Sequence, residues 1–262
     1  MKNVKVILWG LGAMGGGIGK MLTKKKGVDI VGAIDIGAKV GKSLYEVVPG
    51  IVKGDREDVI VGTPEEVIKP GVADIVVVCT NSFTKDVFDK LVFVMERGMN
   101  VITSAEEMAY PQAQEPELAK KLDEIAKKNG VSVMGTGINP GLIMDLLVVL
   151  WTAACEEVNH VTSRRVNSLS PFGPAVMEEQ GIGISVEEFN ERKANGTMAG
   201  HVGFAESTMM ICDALGWKWD DFGQDMEPIV TDVDRKSPYG FAAAGQVAGV
   251  AMKGWVNIDG ER

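Results

Sequence analysis

The sequence predicts an α/β protein: a doubly wound parallel sheet followed by a second, α+β domain. Three observations carry this expectation. The apolar run Val4-Lys5-Val6-Ile7-Leu8-Trp9 leads into Gly10-Leu11-Gly12-Ala13-Met14-Gly15, and Asp35 closes the next apolar run. From residue 4 to about 136, β-rich runs alternate with amphipathic helical stretches, the pattern of a parallel sheet covered on both faces. After Gly141 the alternation stops and a different pattern begins.

Taken in order, the strands expected are residues 4–9, 29–34, 59–62, 75–79, 100–103 and 131–134, with helices near 16–24, 64–68, 85–97 and 114–128. The strands are almost continuous Val and Ile, as strands buried on both faces require. Beyond them the sequence predicts a long apolar helix from Gly141, a strand over 158–167, a Pro- and Gly-rich loop over 170–183 and a helix over 203–215. The boundary falls at 140/141. Residues 135–141 have little linker character, so the two domains are expected to pack closely around a cleft.

The glycine motif in this setting is a dinucleotide fingerprint, which makes the sheet of residues 1–140 a Rossmann domain. Gly10 permits the tight turn, Gly12 lets backbone approach a pyrophosphate, and Gly15 lets the helix pack on the sheet. The N–H groups of Ala13, Met14 and Gly15 then face the phosphates. Asp35 is placed to accept hydrogen bonds from the adenosine ribose, and its charge favours NAD over NADP. Lys39 and Lys42 follow closely. They are either a solvated loop or partial neutralisers of a 2′-phosphate, so NADP stays open as a second cofactor.

Composition narrows the class. With 262 residues, 45% hydrophobic and 24% charged, the chain has the make-up of a globular protein with a real core. A net charge of −9 argues against nucleic acid or an anionic membrane as partner. The apolar run at 142–154 is too short to span a bilayer, and Met1-Lys2-Asn3 runs directly into a strand without a signal peptide, so a cytoplasmic protein is expected. Cys79, Cys155 and Cys212 have neither disulfide-frame nor zinc-site spacing, so no metal is expected. The apolar second domain makes a homodimer the default.

In a doubly wound sheet, ligands sit beyond the carboxyl ends of the strands. Three segments lie there: Thr80-Asn81-Ser82, Ser104-Ala105-Glu106-Glu107-Met108 and Gly135-Thr136-Gly137-Ile138-Asn139-Pro140-Gly141. Thr80, Asn81 and Ser104 are cofactor candidates, although residues 80–82 also suit a helix cap. Two adjacent acids, Glu106 and Glu107, are badly placed for packing and well placed beside a nicotinamide; a helix start explains one of them better than both. Of the two histidines, His160 lies in the expected strand, whereas His201 precedes a helix and is the better pocket candidate. Arg164-Arg165-Val166-Asn167 offers a cation and an amide in strand alternation, suited either to gripping a carboxylate or to a solvated edge.

Together, the segments 10–15, 103–111, 135–141, Ser170-Pro171-Phe172-Gly173-Pro174 and Gly200-His201-Val202-Gly203-Phe204 resemble the 2,4-diaminopentanoate dehydrogenases. That family is related to native amine dehydrogenases and, more distantly, to dihydrodipicolinate reductase. The resemblance covers essentially the whole chain. It implies oxidative deamination, in ornithine degradation, of 2,4-diaminopentanoate to 2-amino-4-oxopentanoate and ammonia with NAD or NADP. It places the catalytic acid on Glu106 and the substrate pocket on Ile138, Asn139, Arg165, Asn167, Phe172, Met177 and His201. Relatives continue well beyond a segment like Ala251-Met252-Lys253-Gly254-Trp255, so the domain over 141–262, read as substrate-binding and dimerising, is expected to be incomplete.

Three rivals are separable. A dihydrodipicolinate-type imine reductase would carry paired histidines and a Lys-x-Asp-Ala-Pro-Ser-Gly-Thr segment, both absent here. An amine dehydrogenase acting on simple ketones would have no use for Arg165 as a carboxylate anchor. A non-catalytic NAD-binding regulator would bind dinucleotide without turnover and leave the Glu pair unexplained.

Overall fold

Strand β1 (Val4–Trp9) shows why a doubly wound sheet forms: both of its faces are apolar, and both are covered. Successive strand side chains point to opposite faces. Ile7 and Trp9 enter one core cluster with Val76, Leu91 and Val101, while Val6 and Leu8 enter another with Ile30, Leu44 and Val61. The computed structural model describes residues 2–171, 173–198 and 200–260. It divides into two compact units, Met1–Leu146 and Leu147–Arg262.

The first unit continues through α1 (Ala13–Leu22), β2 (Val28–Ile34), α2 (Leu44–Val47), β3 (Val61–Gly62), α3 (Pro64–Val67), β4 (Ile75–Val78), α4 (Thr84–Met95), β5 (Asn100–Thr103), α5 (Pro116–Asn129) and β6 (Val133–Gly135). The sheet order is β3-β2-β1-β4-β5-β6, every pairing parallel. Strand order therefore reverses between β1 and β4, and this switch point opens the crevice in which such sheets hold ligands. All six strands anticipated from the sequence are present. The third is shorter than expected, because the chain at residues 43 and 60 forms only an isolated antiparallel bridge before parallel pairing begins at Val61.

The second unit contains most of α6 (Leu146–Thr152), then α7 (Pro174–Glu179), α8 (Val186–Ala194), α9 (Phe204–Leu215), β7 (Asp221–Val230), β8 (Arg235–Lys236), β9 (Phe241–Ala242) and β10 (Val247–Asn257). β7 and β10 pair antiparallel along their length, and α9 packs on β10. Lys193 at the end of α8 reaches β7, with Nζ 2.6 Å from Asp225 Oδ1 and 2.7 Å from the Met226 carbonyl.

Three expectations fail in this unit. Residues 158–167 form no strand, and Val166 is 98% exposed. The segment has the alternation of a strand but no ladder partner among the described residues, and alternation alone does not satisfy backbone N–H and C=O groups. The expected long apolar helix is the seven-residue α6. Part of the expected 170–183 loop is helical, with α7 starting on Pro174, where the missing N–H costs nothing.

Leu91 is fully buried where α4 meets the sheet. Leu91→Ala is expected to lower the unfolding free energy by about 2–5 kcal/mol. The shift of the urea midpoint at unchanged slope measures it, and a loss below about 1 kcal/mol would contradict this packing.

Candidate functional site

The turn from β1 into α1 is held open by absent side chains. Gly10 has φ +94°, and a Cβ there would overlap the Cys79 carbonyl. A Cβ on Gly15 would overlap the Gly10 carbonyl, so α1 lies against the turn only with glycine at this position. Gly12 differs, because a Cβ there would meet nothing within 4 Å. The space in front of it is open on the protein side, and an atom of a ligand can approach the backbone there. Gly12 also caps α1 without a side-chain bond, and Ala13 and Met14 are exposed. The first-turn N–H groups thus face open space, as a pyrophosphate requires. These residues fit a dinucleotide.

Asp35, one residue beyond β2, binds this turn directly. Its Oδ2 accepts the Leu11 N–H at 2.7 Å and Lys39 Nζ at 2.7 Å, and its Oδ1 accepts the Ile36 N–H at 2.7 Å. Partial burial disfavours the charged carboxylate, but the Lys39 bond and the two backbone N–H bonds outweigh it and hold the pKa below the usual value. Lys39 belongs to the pair rather than to a solvated loop.

The next three strand ends carry the remaining first-unit candidates. Thr80 borders the glycine turn, its Cγ2 3.1 Å from where a Gly10 Cβ would stand. Asn81 Oδ1 accepts Lys90 Nζ at 2.7 Å. The cap reading of residues 80–82 fails: α4 is capped by Phe83, with no side-chain bond. The Thr84 N–H at its first turn instead donates to Glu107 Oε2 at 2.7 Å, and the Glu107 N–H donates to the Ser82 carbonyl at 3.1 Å.

Glu107 is 8% exposed, and its Oε2 is committed to the first turn of α4. Glu106, beside it on the single-turn segment Glu106–Ala109, is half-buried and has no hydrogen bond or ion pair among the described residues. The two acids have different duties. Ser104 donates its N–H to the Val78 carbonyl and bonds the Cys79 thiol, which burial nonetheless pushes up in pKa. Cys79 is a partly buried free thiol.

Gly135 ends β6 against this turn, where a Cβ would collide with the Met108 carbonyl. The turn bearing Glu106 and the loop at 135–141 are thereby brought together. That loop contains exposed Ile138, half-buried Asn139 and a cis Asn139–Pro140 bond. It is fastened by fully buried Asp145, whose Oδ2 accepts the Gly141 N–H at 2.7 Å and whose Oδ1 accepts the Leu146 N–H at 2.6 Å.

In the second unit the His201 ring stands edge-on to Phe204 at 5.0 Å, and the His201 N–H donates to Met252 Sδ at 2.9 Å. Burial first, and the positive charge of Arg165 second, push the imidazole pKa below 6.5, so the ring is neutral at pH 7. Arg165 and Asn167 are exposed on the irregular segment after residue 157. Met177 is buried, with its sulfur 3.2 Å from where a Gly240 Cβ would stand. Phe172 lies outside the described residues. His160 is exposed and bonds Thr162 Oγ1 at 2.8 Å.

A 2,4-diaminopentanoate dehydrogenase from Acetoanaerobium sticklandii is 66% identical over 262 residues, covering all of this chain and 74% of that protein. The chain belongs to the 2,4-diaminopentanoate dehydrogenase family. The family model for the 2,4-diaminopentanoate dehydrogenase C-terminal domain matches residues 142–262. The structure of an amine dehydrogenase from Mycobacterium smegmatis superposes with a TM-score of 0.72 at 26% identity, covering 98% of this chain and 76% of that one. As a member of the 2,4-diaminopentanoate dehydrogenase family, this protein is a dehydrogenase working with a nicotinamide cofactor.

Within this family member, sequence reasoning missed three residues, Ile36, Asp145 and Glu206, and the structural role of Glu107. Ile36 is 83% exposed directly after Asp35. Glu107 and Asp145 each fasten a loop. Glu206, fully buried in the first turn of α9, was detectable as an acid inside the apolar stretch 204–212.

Glu107→Ala is expected to destabilise the protein by about 1–3 kcal/mol by orphaning the Thr84 N–H. Glu107→Gln keeps an acceptor oxygen and should lose less; equal losses in urea unfolding would refute the bond. His201 gives a pH prediction. Its folded pKa lies below its unfolded value near 6.5, so the unfolded chain binds more protons in that window and stability falls as pH drops through about 6.5. His201→Gln should flatten this fall, as measured by urea unfolding at pH 7.5 and 5.5; an unchanged slope would contradict it.

Proposed function

We propose that the protein oxidatively deaminates the 4-amino group of 2,4-diaminopentanoate, giving 2-amino-4-oxopentanoate, ammonia and reduced nicotinamide dinucleotide, as a step of ornithine degradation. The observation that carries this reading is the 66% identity, across every residue of the chain, to a relative named for that substrate. The division of labour between Glu106 and Glu107 supports the chemistry, since it leaves one carboxylate uncommitted beside the glycine turn's sheet edge.

Gly10, Gly12, Ala13, Met14 and Gly15 would hold the cofactor's pyrophosphate, Thr80, Asn81 and Ser104 would line its nicotinamide end, and Asp35 would favour NAD. When bound, the nicotinamide supplies the hydride acceptor. Glu106 takes a proton from the substrate ammonium, because only the neutral amine has the lone pair that stabilises an iminium as C4 loses hydride. Glu106 then assists water in adding to the iminium carbon, and the carbinolamine collapses to ketone and ammonia. Arg165 and Asn167 hold the carboxylate, His201 offers a neutral imidazole to the 2-amino end, and Ile138, Asn139, Phe172 and Met177 shape the pocket.

The domain assignment, residues 1–140 for cofactor and 141–262 for substrate and dimerisation, belongs to the same reading. Exposed Leu150, Trp151 and Ile229 in the second unit support a homodimer. Three free cysteines suit a reducing, cytoplasmic setting.

Glu106→Gln should leave NADH binding intact while NAD reduction with 2,4-diaminopentanoate falls about 10²-fold or more. Near-normal turnover in this variant would remove Glu106 from the mechanism. Wild-type protein that reduces NAD with 2-aminobutane but not with the diamino acid would replace the substrate assignment with a simple amine.

A further inference from the structure

A lysine of α4 fixes the polarity of one side chain at the end of β4. Lys90 Nζ donates to Asn81 Oδ1 at 2.7 Å and to the Asp86 carbonyl, one turn back along the helix, at 3.0 Å. An ammonium only donates hydrogen bonds, whereas the two ends of an Asn amide differ in sense, the oxygen accepting and the nitrogen donating. Lys90 therefore takes the oxygen of Asn81 and turns the amide nitrogen away from itself. Asn81 is exposed, and its Nδ2 makes no hydrogen bond among the described residues.

Asn81 stands where that polarity matters. The chain leaving β4 runs beside the glycine turn, since the Cys79 carbonyl and Thr80 Cγ2 both crowd the position that a Gly10 Cβ would take. Strand order reverses between β1 and β4, so a dinucleotide seated on the turn passes the end of β4 on its way from pyrophosphate to nicotinamide. The nicotinamide riboside half offers mainly oxygen acceptors, its ribose oxygens and its carboxamide carbonyl, and these call for donors. An amide free to flip presents oxygen and nitrogen alike. Held by Lys90, it presents its N–H groups alone, and it is ordered before any ligand arrives.

We propose that Lys90 is a positioning residue for the cofactor: through Asn81 Oδ1 it holds the Asn81 amide with its N–H groups toward the nicotinamide riboside half. The inference rests on Thr80 and Asn81 lining the nicotinamide end of a bound dinucleotide, as proposed above. Calorimetric titration of the purified full chain with NADH and with ADP tests it, because ADP keeps the adenosine and the pyrophosphate but has no nicotinamide riboside. The proteins compared are wild type, Lys90→Met, Lys90→Arg, Asn81→Ala, Asn81→Asp and the double variant Lys90→Met with Asn81→Ala.

Lys90→Met should weaken NADH by about threefold to tenfold, the scale of one net hydrogen bond, and leave ADP within about twofold. Lys90→Arg keeps a donor and should retain NADH. Asn81→Asp still accepts from Lys90 but has no N–H to give, so it should weaken NADH at least as much as Asn81→Ala. In the Asn81→Ala background, Lys90→Met should weaken NADH no further. Unchanged NADH affinity in Lys90→Met overturns the proposal. Equal weakening of ADP and NADH, or the same loss with Asn81 already removed, also overturns it, because Lys90 would then act as a bare charge on the pyrophosphate. Failure of wild type to bind either nucleotide overturns the dinucleotide reading itself.

Discussion

The sheet edge depends on one buried carboxylate, that of Glu107. Helix α4 begins without a side-chain cap, so its first N–H groups need an acceptor from elsewhere. Glu107 provides it from the turn after β5, and the positive end of the helix in return stabilises a charge that burial would otherwise penalise. The Glu107 N–H closes the connection by binding the Ser82 carbonyl. Two crossovers of the sheet are therefore clamped to each other at the point where the strand ends converge. Glu106 inherits a fixed position from this neighbour.

The same device recurs at the glycine turn and at the loop after β6. Asp35 clamps the glycine turn through the Leu11 N–H, and Asp145 clamps residues 135–141 through the Gly141 N–H. In each case a short acid binds backbone N–H groups in a segment rich in glycine, where side chains are too few to fix the path. Glycine gives close approach but no contacts of its own; the carboxylates restore the order that glycine gives up. A site built this way keeps backbone exposed for a ligand and still holds its shape.

How much of this could be read from the sequence follows from what each element needs. The parallel strands were legible because burial on both faces leaves a continuous Val and Ile signal. β7 and β10 were not, since Asp221–Val230 carries acids, Gly223 and Pro228, and Val247–Asn257 is interrupted by Gly249 and Gly254. Pro228 is tolerated because a strand of a two-stranded sheet has an unpaired edge. The segment 158–167 misled in the opposite direction, with the right alternation and no partner. At the site, spacing identified Glu106 and Glu107 as a pair, but only the path of α4 decides which one is consumed by a helix. Asp145 was visible merely as a charge interrupting an apolar run, because its partners are backbone groups that leave no trace in composition.

The central claim is that hydride leaves C4 of the diamino acid. It is tested most directly with 2,4-diaminopentanoate carrying deuterium at C4 or at C2, following the mass of the reduced NAD formed by the wild-type chain. The account predicts deuterium in the reduced cofactor from the C4-labelled substrate and none from the C2-labelled one. Label arriving from C2, or no transfer from either position, would contradict it.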